Sequence, residues 1–179
     1  MAATTLTGKV WKFGANVNTD VLCPMEAFFL PPAEQVAFLF KPIRPDWHRQ
    51  AARGDIIVAG RNFGQGSGRP VAEAFRVLGI SCLIADSVNG LFFRNSVNFG
   101  FWSLECPGVH GAFAEGDVAD VDLRRFTVTN TRTGATLAAK AVPPELVEII
   151  AAGGLFAQLE AQGYLAPLPP QPGGGRAAP

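Results

Sequence analysis

The chain has 179 residues, enough to bury a hydrophobic core as one domain of ordinary size. Lys plus Arg and Asp plus Glu stand at 15 each, so no overall field draws the chain to nucleic acid or to an anionic membrane, and any anion must be held by a local charge. Charged residues make up only 17% and hydrophobic ones 48%, against about 25% charged in an average soluble protein, which points to surface covered by a partner subunit.

Residues 8–13 read as a strand, and residues 14–20, with Gly14, Asn16 and Asn18, as a turn that leaves Thr19 and Asp20 at a loop tip. Residues 24–53 are rich in proline and aromatics and predict a long loop with one short helix around residues 34–40. So many large apolar side chains argue against disorder there. Residues 55–59 form a continuous apolar run of strand length that leads straight into a glycine-rich loop. Pro70 then suits the first position of a helix whose apolar members are Val71, Ala74, Phe75 and Leu78, ended by Gly79. A second buried strand covers residues 81–85. Ser87 is placed to cap a helix over residues 88–99, stopped by Gly100, and a third strand covers residues 101–106. Apolar and polar residues alternate over 118–123 and 126–130, and Thr133-Gly134 turns into 135–141, which predicts a half-exposed antiparallel meander. Pro143-Pro144-Glu145 opens a helix containing Leu146, Val147, Ile149 and Ile150. Gly153-Gly154 breaks it, and residues 155–164 make a last short helix. The proline and glycine content from Pro167 onward predicts a disordered tail, which gives a single domain over 1–166 and a tail over 167–179.

The segment richest in chemistry is Asn62-Phe63-Gly64-Gln65-Gly66-Ser67-Gly68-Arg69-Pro70. A strand that runs into glycines and then a helix gathers backbone N–H groups and the positive end of a helix dipole at one place, an arrangement that binds carboxylates and phosphates. Arg69 adds a planar fork matched to a carboxylate, and Ser67 adds a hydroxyl that nearby positive charge would make easier to deprotonate. The same glycines would also serve a connection that only turns tightly. A P-loop is excluded, because no Gly-Lys-Ser/Thr follows. A dinucleotide fingerprint is a weak second reading: Gly64, Gly66 and Gly68 are followed by Arg69 where its last glycine should stand, although Asp86 closes the next strand at a suitable distance.

Cys23, Cys82 and Cys106 are far apart, with no CxxC pair and no histidine at ligand spacing, so the chain is expected to hold no metal or cofactor itself and to keep its thiols reduced, as in cytoplasm. The first five residues lack the basic and apolar regions of a signal peptide, and no apolar stretch approaches the roughly 20 residues that span a bilayer. His48 and His110 read as surface or loop residues with no assigned role. Arg94 and Asn95 would either tie their helix to the glycine loop or face water, and Phe28, Phe29, Phe38 and Phe40 would line a core or a pocket.

Several separated motifs occur in a telling order. Asn18-Thr19-Asp20, the segment 54–69, Ala85-Asp86-Ser87, Phe92-Phe93-Arg94-Asn95-Ser96 and the segment 146–155 together resemble the 3-isopropylmalate dehydratase small subunit, a family similar to the swivel domain of aconitase. The resemblance implies an α/β chain with the swivelling β/β/α fold, a lid docked on a large subunit that carries a [4Fe–4S] cluster. Together they would dehydrate and rehydrate a small hydroxy-dicarboxylate. It implies that Ser67 is the catalytic base, that Arg69 holds a substrate carboxylate between Gly66 and Gly68 of the loop, and that Thr19 and Asp20 approach the same site. The loop after Pro24 corresponds to the part that meets the substrate side chain. The sequence departs from the family at Gln65, where a cysteine is usual, at Gly68, where a second serine is usual, and at Pro70 and Val71, where an acidic residue and a histidine are usual. These departures leave open a different substrate, such as dimethylmalate or citramalate, or a carboxylate-binding module without turnover.

Overall fold

The computed structural model describes residues 5–66 and 68–166. Seven strands make one sheet: β1 (Thr5–Phe13), β2 (Ile56–Ala59), β3 (Cys82–Ala85), β4 (Trp102–Glu105), β5 (Val118–Asp122), β6 (Thr127–Asn130) and β7 (Thr136–Ala138), in the spatial order β4-β3-β2-β1-β5-β6-β7. The long strand β1 joins two kinds of pairing. Its second half runs parallel to β2, with Val10 opposite Ile56 and Phe13 opposite Ala59. Its first half runs antiparallel to β5, with Thr5 opposite Asp122 and Lys9 opposite Val118. Strands β2, β3 and β4 continue the parallel half, and β5, β6 and β7 form the meander that the alternation predicts.

Helices are α1 (Thr19–Leu22), α2 (Pro32–Gln35), α3 (Trp47–Gln50), α4 (Val71–Leu78), α5 (Gly90–Asn98), α6 (Val109–Ala112), α7 (Pro144–Ala151) and α8 (Leu155–Ala161). Both faces of the parallel half are covered, which is why every residue of β2 and β3 is buried and apolar. Ile57, Ala59, Leu83 and Ala85 face a core shared with Val71, Phe75 and Phe92. Ile56, Val58, Cys82 and Ile84 face the other, shared with Val109, Val121, Val128 and Ile150. Because four strands run the same way, the connections leaving β1, β2 and β3 emerge along one edge of the sheet, where ligands of parallel sheets bind.

Several expectations are corrected. Thr19 and Asp20 open α1 instead of tipping a loop, and Thr19 is buried. The stretch from 24 to 53 holds four short helical turns, adding Met25–Ala27 and Val36–Phe38 to α2 and α3. It is held by packing: Phe40 stacks on Phe13 with ring centroids 3.7 Å apart, and Trp47 meets Phe40 edge-on at 4.8 Å. Of the four phenylalanines, Phe40 is core and Phe29 is 87% exposed. Helix α5 is capped by Asn89, whose side chain accepts from the Leu91 N–H, and begins at Gly90, so Ser87 is free for another task. Helix α8 ends at Ala161, short of Tyr164. The tail over 167–179 lies outside the described residues.

The meander is closed by one buried carboxylate. Asp117 accepts from Arg132 Nε at 2.5 Å, from Asn130 Nδ2 at 2.7 Å and from the Ala114 N–H at 2.9 Å. Hydrogen bonds from the Arg132 guanidinium, then from the Ala114 backbone, hold its carboxyl well below the usual carboxylate range. Since the folded pKa lies below the unfolded one, this network stabilises the fold fully above about pH 4 and loses that contribution as the pH falls through the folded value. Asp117→Asn is therefore expected to lower the urea midpoint at pH 7 and to flatten its decline between pH 5 and pH 2. Parallel declines in the two proteins would contradict this assignment.

Candidate active site

Three connections meet at the edge where the parallel strands end. From β1 comes the segment 14–18, from β2 the glycine-rich segment 60–69, and from β3 the segment 86–89. Backbone bonds stitch them: Gly64 N–H donates to the Val17 carbonyl at 2.7 Å, Thr19 N–H to the Gln65 carbonyl at 2.8 Å, and Phe63 N–H to the Ser87 carbonyl at 3.0 Å. Side chains complete the seam. Asn62 donates to Gln65 Oε1 at 2.7 Å, Gln65 donates to the Asn16 carbonyl at 3.2 Å, and Ser87 Oγ accepts from the Asn62 N–H at 2.8 Å. The glycines are required by this closeness. Gly64 sits at φ +77°, and a side chain there would overlap the Phe92 ring; Gly66 sits at φ +111°, and a Cβ would lie 2.7 Å from Thr19 Oγ1.

Arg69 occupies the centre. Its side chain is only 6% exposed and forms an ion pair with Asp20, whose own side chain is 73% exposed. The guanidinium also donates to the main-chain carbonyl of Cys23, and to that of Thr19 at 3.4 Å. A buried cation is thus matched on one side by carbonyls at the ends of α1 and on the solvent side by one carboxylate. Among the sequence-predicted residues, Thr19, Asp20, Gly66 and Arg69 come together here. Ser67 lies outside the described residues, between two exposed glycines, Gly66 and Gly68. Asn95 reaches the site as well, donating to the Arg69 carbonyl at 3.2 Å, while its neighbour Arg94 is exposed. Asn16, Asn62, Gln65 and Ser87 were not singled out as site residues in the sequence. The one local signal was Asn16 and Asn62, both at positive φ, in connections that follow buried strands.

The remaining candidates stand apart. Asp86 Oδ1 accepts from the His110 N–H at 3.2 Å, and Arg69 is buried where a dinucleotide loop needs glycine. His48 is half-buried, and its Nδ1 has no hydrogen-bond partner among the described residues. All three thiols are buried. Burial pushes Cys23 up, although Arg69 pulls the other way, and pushes Cys82 further up; burial and the Asp86 charge raise Cys106 to about 11. None is a thiolate near neutrality. Among the described residues no group of three or more His, Cys, Asp or Glu could hold a metal ion.

The glycines differ in what they tolerate, since Gly68 has an ordinary φ and a Cβ there would make van der Waals contact with Leu91 at 3.4 Å. Gly64→Ala is expected to destabilise the chain by about 2–4 kcal/mol through backbone strain and overpacking, and Gly68→Ala to stay within about 0.5 kcal/mol. Thermal and urea unfolding of the two variants measure the difference, and equal losses would contradict the close packing of Gly64.

Comparisons with known proteins fit this geometry. The Aconitase C-terminal domain family matches residues 43–108, which include the whole glycine loop. The isopropylmalate/citramalate isomerase small subunit of Methanocaldococcus jannaschii is 39% identical over 87% of this chain and 94% of its own length. The 3-isopropylmalate dehydratase small subunit of Heliobacterium modesticaldum is 40% identical over 84% of this chain and 92% of its own. The crystal structure of 3-isopropylmalate dehydratase from Methanocaldococcus jannaschii superposes with a TM-score of 0.82 at 30% identity, covering 89% of this chain and 96% of that one. On this agreement of sequence, fold and length, the chain belongs to the 3-isopropylmalate dehydratase small-subunit family.

Proposed function

We propose that this chain is the small subunit of a 3-isopropylmalate dehydratase-type hydro-lyase, a cytoplasmic enzyme of leucine biosynthesis. With residues 1–166 as one swivel-type domain, it works docked on a large subunit. The observation that carries this reading is the buried Arg69, which is ion-paired with Asp20, a carboxylate that faces solvent. A substrate carboxylate approaching from solvent meets Asp20 first, and two anions cannot share the guanidinium without repulsion, so the substrate takes the place of Asp20. The carbonyls of Thr19 and Cys23 keep the fork oriented through that exchange.

Ser67, two residues before Arg69, is the base that takes the proton from the carbon next to the held carboxylate. The electron pair left behind forms the carbon–carbon double bond as hydroxide departs from the neighbouring carbon, and Ser67 returns its proton when water adds back. A [4Fe–4S] cluster in the large subunit would supply Lewis-acid assistance to the departing hydroxyl. In this chain, Gly66 and Gly68 bring main chain close to the substrate, and Thr19 packs beneath Gly66. The exposed ring of Phe29, set edge-on against Phe28 at 4.9 Å, offers apolar surface to a substrate side chain. The names of the relatives favour an isomerase over a binding module without turnover.

The test is the complex with the large subunit, purified anaerobically and assayed by ultraviolet absorbance of the unsaturated acid with 3-isopropylmalate, citramalate and dimethylmalate. Turnover of 3-isopropylmalate is expected, and an intact complex inert towards it would sink the reading. Ser67→Ala is expected to lower kcat by about 10²- to 10⁴-fold, and unchanged turnover would remove Ser67 as the base. Arg69→Lys is expected to raise KM by about 10- to 100-fold, the value of a charged bidentate contact.

A further inference from the structure

We infer that Asn95 is a positioning residue for this reaction: from α5 its amide fixes the main-chain carbonyl of Arg69 and so sets where the carboxylate-binding fork stands. The inference rests on the role proposed above for Arg69. Three residues of α5, at helical spacing on one face, contact the glycine loop. Phe92 fills the space beneath Gly64, Leu91 lies 3.4 Å from where a side chain on Gly68 would begin, and Asn95 Nδ2 lies 3.2 Å from the Arg69 carbonyl oxygen.

The need for such a contact follows from the start of α4. Helices are usually fixed at their first turn by a Ser, Thr, Asp or Asn whose side chain accepts from the helix backbone. Here Pro70 stands at that position, and among the described residues α4 has no side-chain cap. Near it in sequence, the Arg69 carbonyl accepts from the Val71 N–H at 2.9 Å, within one tight turn. Asn95 supplies from a neighbouring helix the restraint that the cap does not.

Arg69 is therefore held twice, through its guanidinium by Asp20, Thr19 and Cys23, and through its main chain by Asn95. When a substrate carboxylate replaces Asp20, the first restraint loses its ion pair and the second stays. The contribution of Asn95 is accordingly largest with substrate bound, and it reads out in KM.

The experiment is a double-substitution cycle in the assembled enzyme, with Asn95→Ala, Arg69→Lys and the two combined, and with Asn95→Asp as a variant of equal shape that lacks the donor. Asn95→Ala and Asn95→Asp are expected to raise KM about fivefold, as for loss of one neutral hydrogen bond, with kcat changed less than about twofold. In the Arg69→Lys background, Asn95→Ala should raise KM by less than a further twofold. Independent, multiplying effects in the cycle, or a fall in kcat at unchanged KM, would overturn the inference and leave the role of Arg69 standing. If Arg69→Lys itself left KM unchanged, the carboxylate-fork reading and this inference would both fall.

Discussion

A guanidinium cannot shed its charge, so burying one obliges the chain to supply matched oxygens around it. Arg69 imposes that obligation at the edge of the sheet. It is met by the main-chain carbonyls of Thr19 and Cys23 and by the carboxylate of Asp20, all within the five residues that include α1. Asn18 makes this short helix possible by capping it, its side chain accepting from the Val21 N–H at 2.9 Å. The connection after β1 is thereby pinned onto the connection after β2. Gly66 is the condition for that approach, since a Cβ there would lie 2.7 Å from Thr19 Oγ1, and Gly64 lets the same loop close onto the Phe92 ring of α5.

The same constraint explains how the family's departures are accommodated. Val71, where a histidine is usual, is fully buried in the core around Phe75 and Phe92, so an apolar residue suits the packing of α4. Gln65, where a cysteine is usual, bonds Asn62 and Asn16 and adds a polar seam between two of the three connections. Gly68 removes a side chain at a place where one would fit against Leu91, so its glycine is not demanded by the backbone. The Arg69 guanidinium and its ion pair with Asp20 remain.

Much of this was legible in the sequence where the signal is local. The apolar runs of β2 and β3 and the Pro70 and Gly79 boundaries of α4 lie within one element each, as does the alternation of the meander, and they appear in the fold within a residue or two, except that β7 ends at Ala138, three residues short of the expected 141. Thr19, Asp20 and Arg69 could be named from the resemblance, but their mutual contact spans about fifty residues of chain and has no local signature. Ser87 shows the limit well. A serine before a helix reads as a cap, yet Asn89 takes that task, and the Ser87 hydroxyl turns to the Asn62 N–H because β2 and β3 are neighbours in the sheet. The segment from 24 to 53 looked irregular because its order comes from aromatic packing on Phe13 and not from periodicity.

The central claim is that Asp20 holds the place of a substrate carboxylate on Arg69. It is tested most directly by a crystal structure of the assembled enzyme with a dicarboxylate substrate analogue bound. The account predicts a two-pronged contact between the analogue and the Arg69 guanidinium, with Asp20 moved out of ion-pair distance and the Thr19 and Cys23 carbonyls still in place. An intact Asp20–Arg69 pair, with the analogue's carboxylates bound elsewhere, would contradict it.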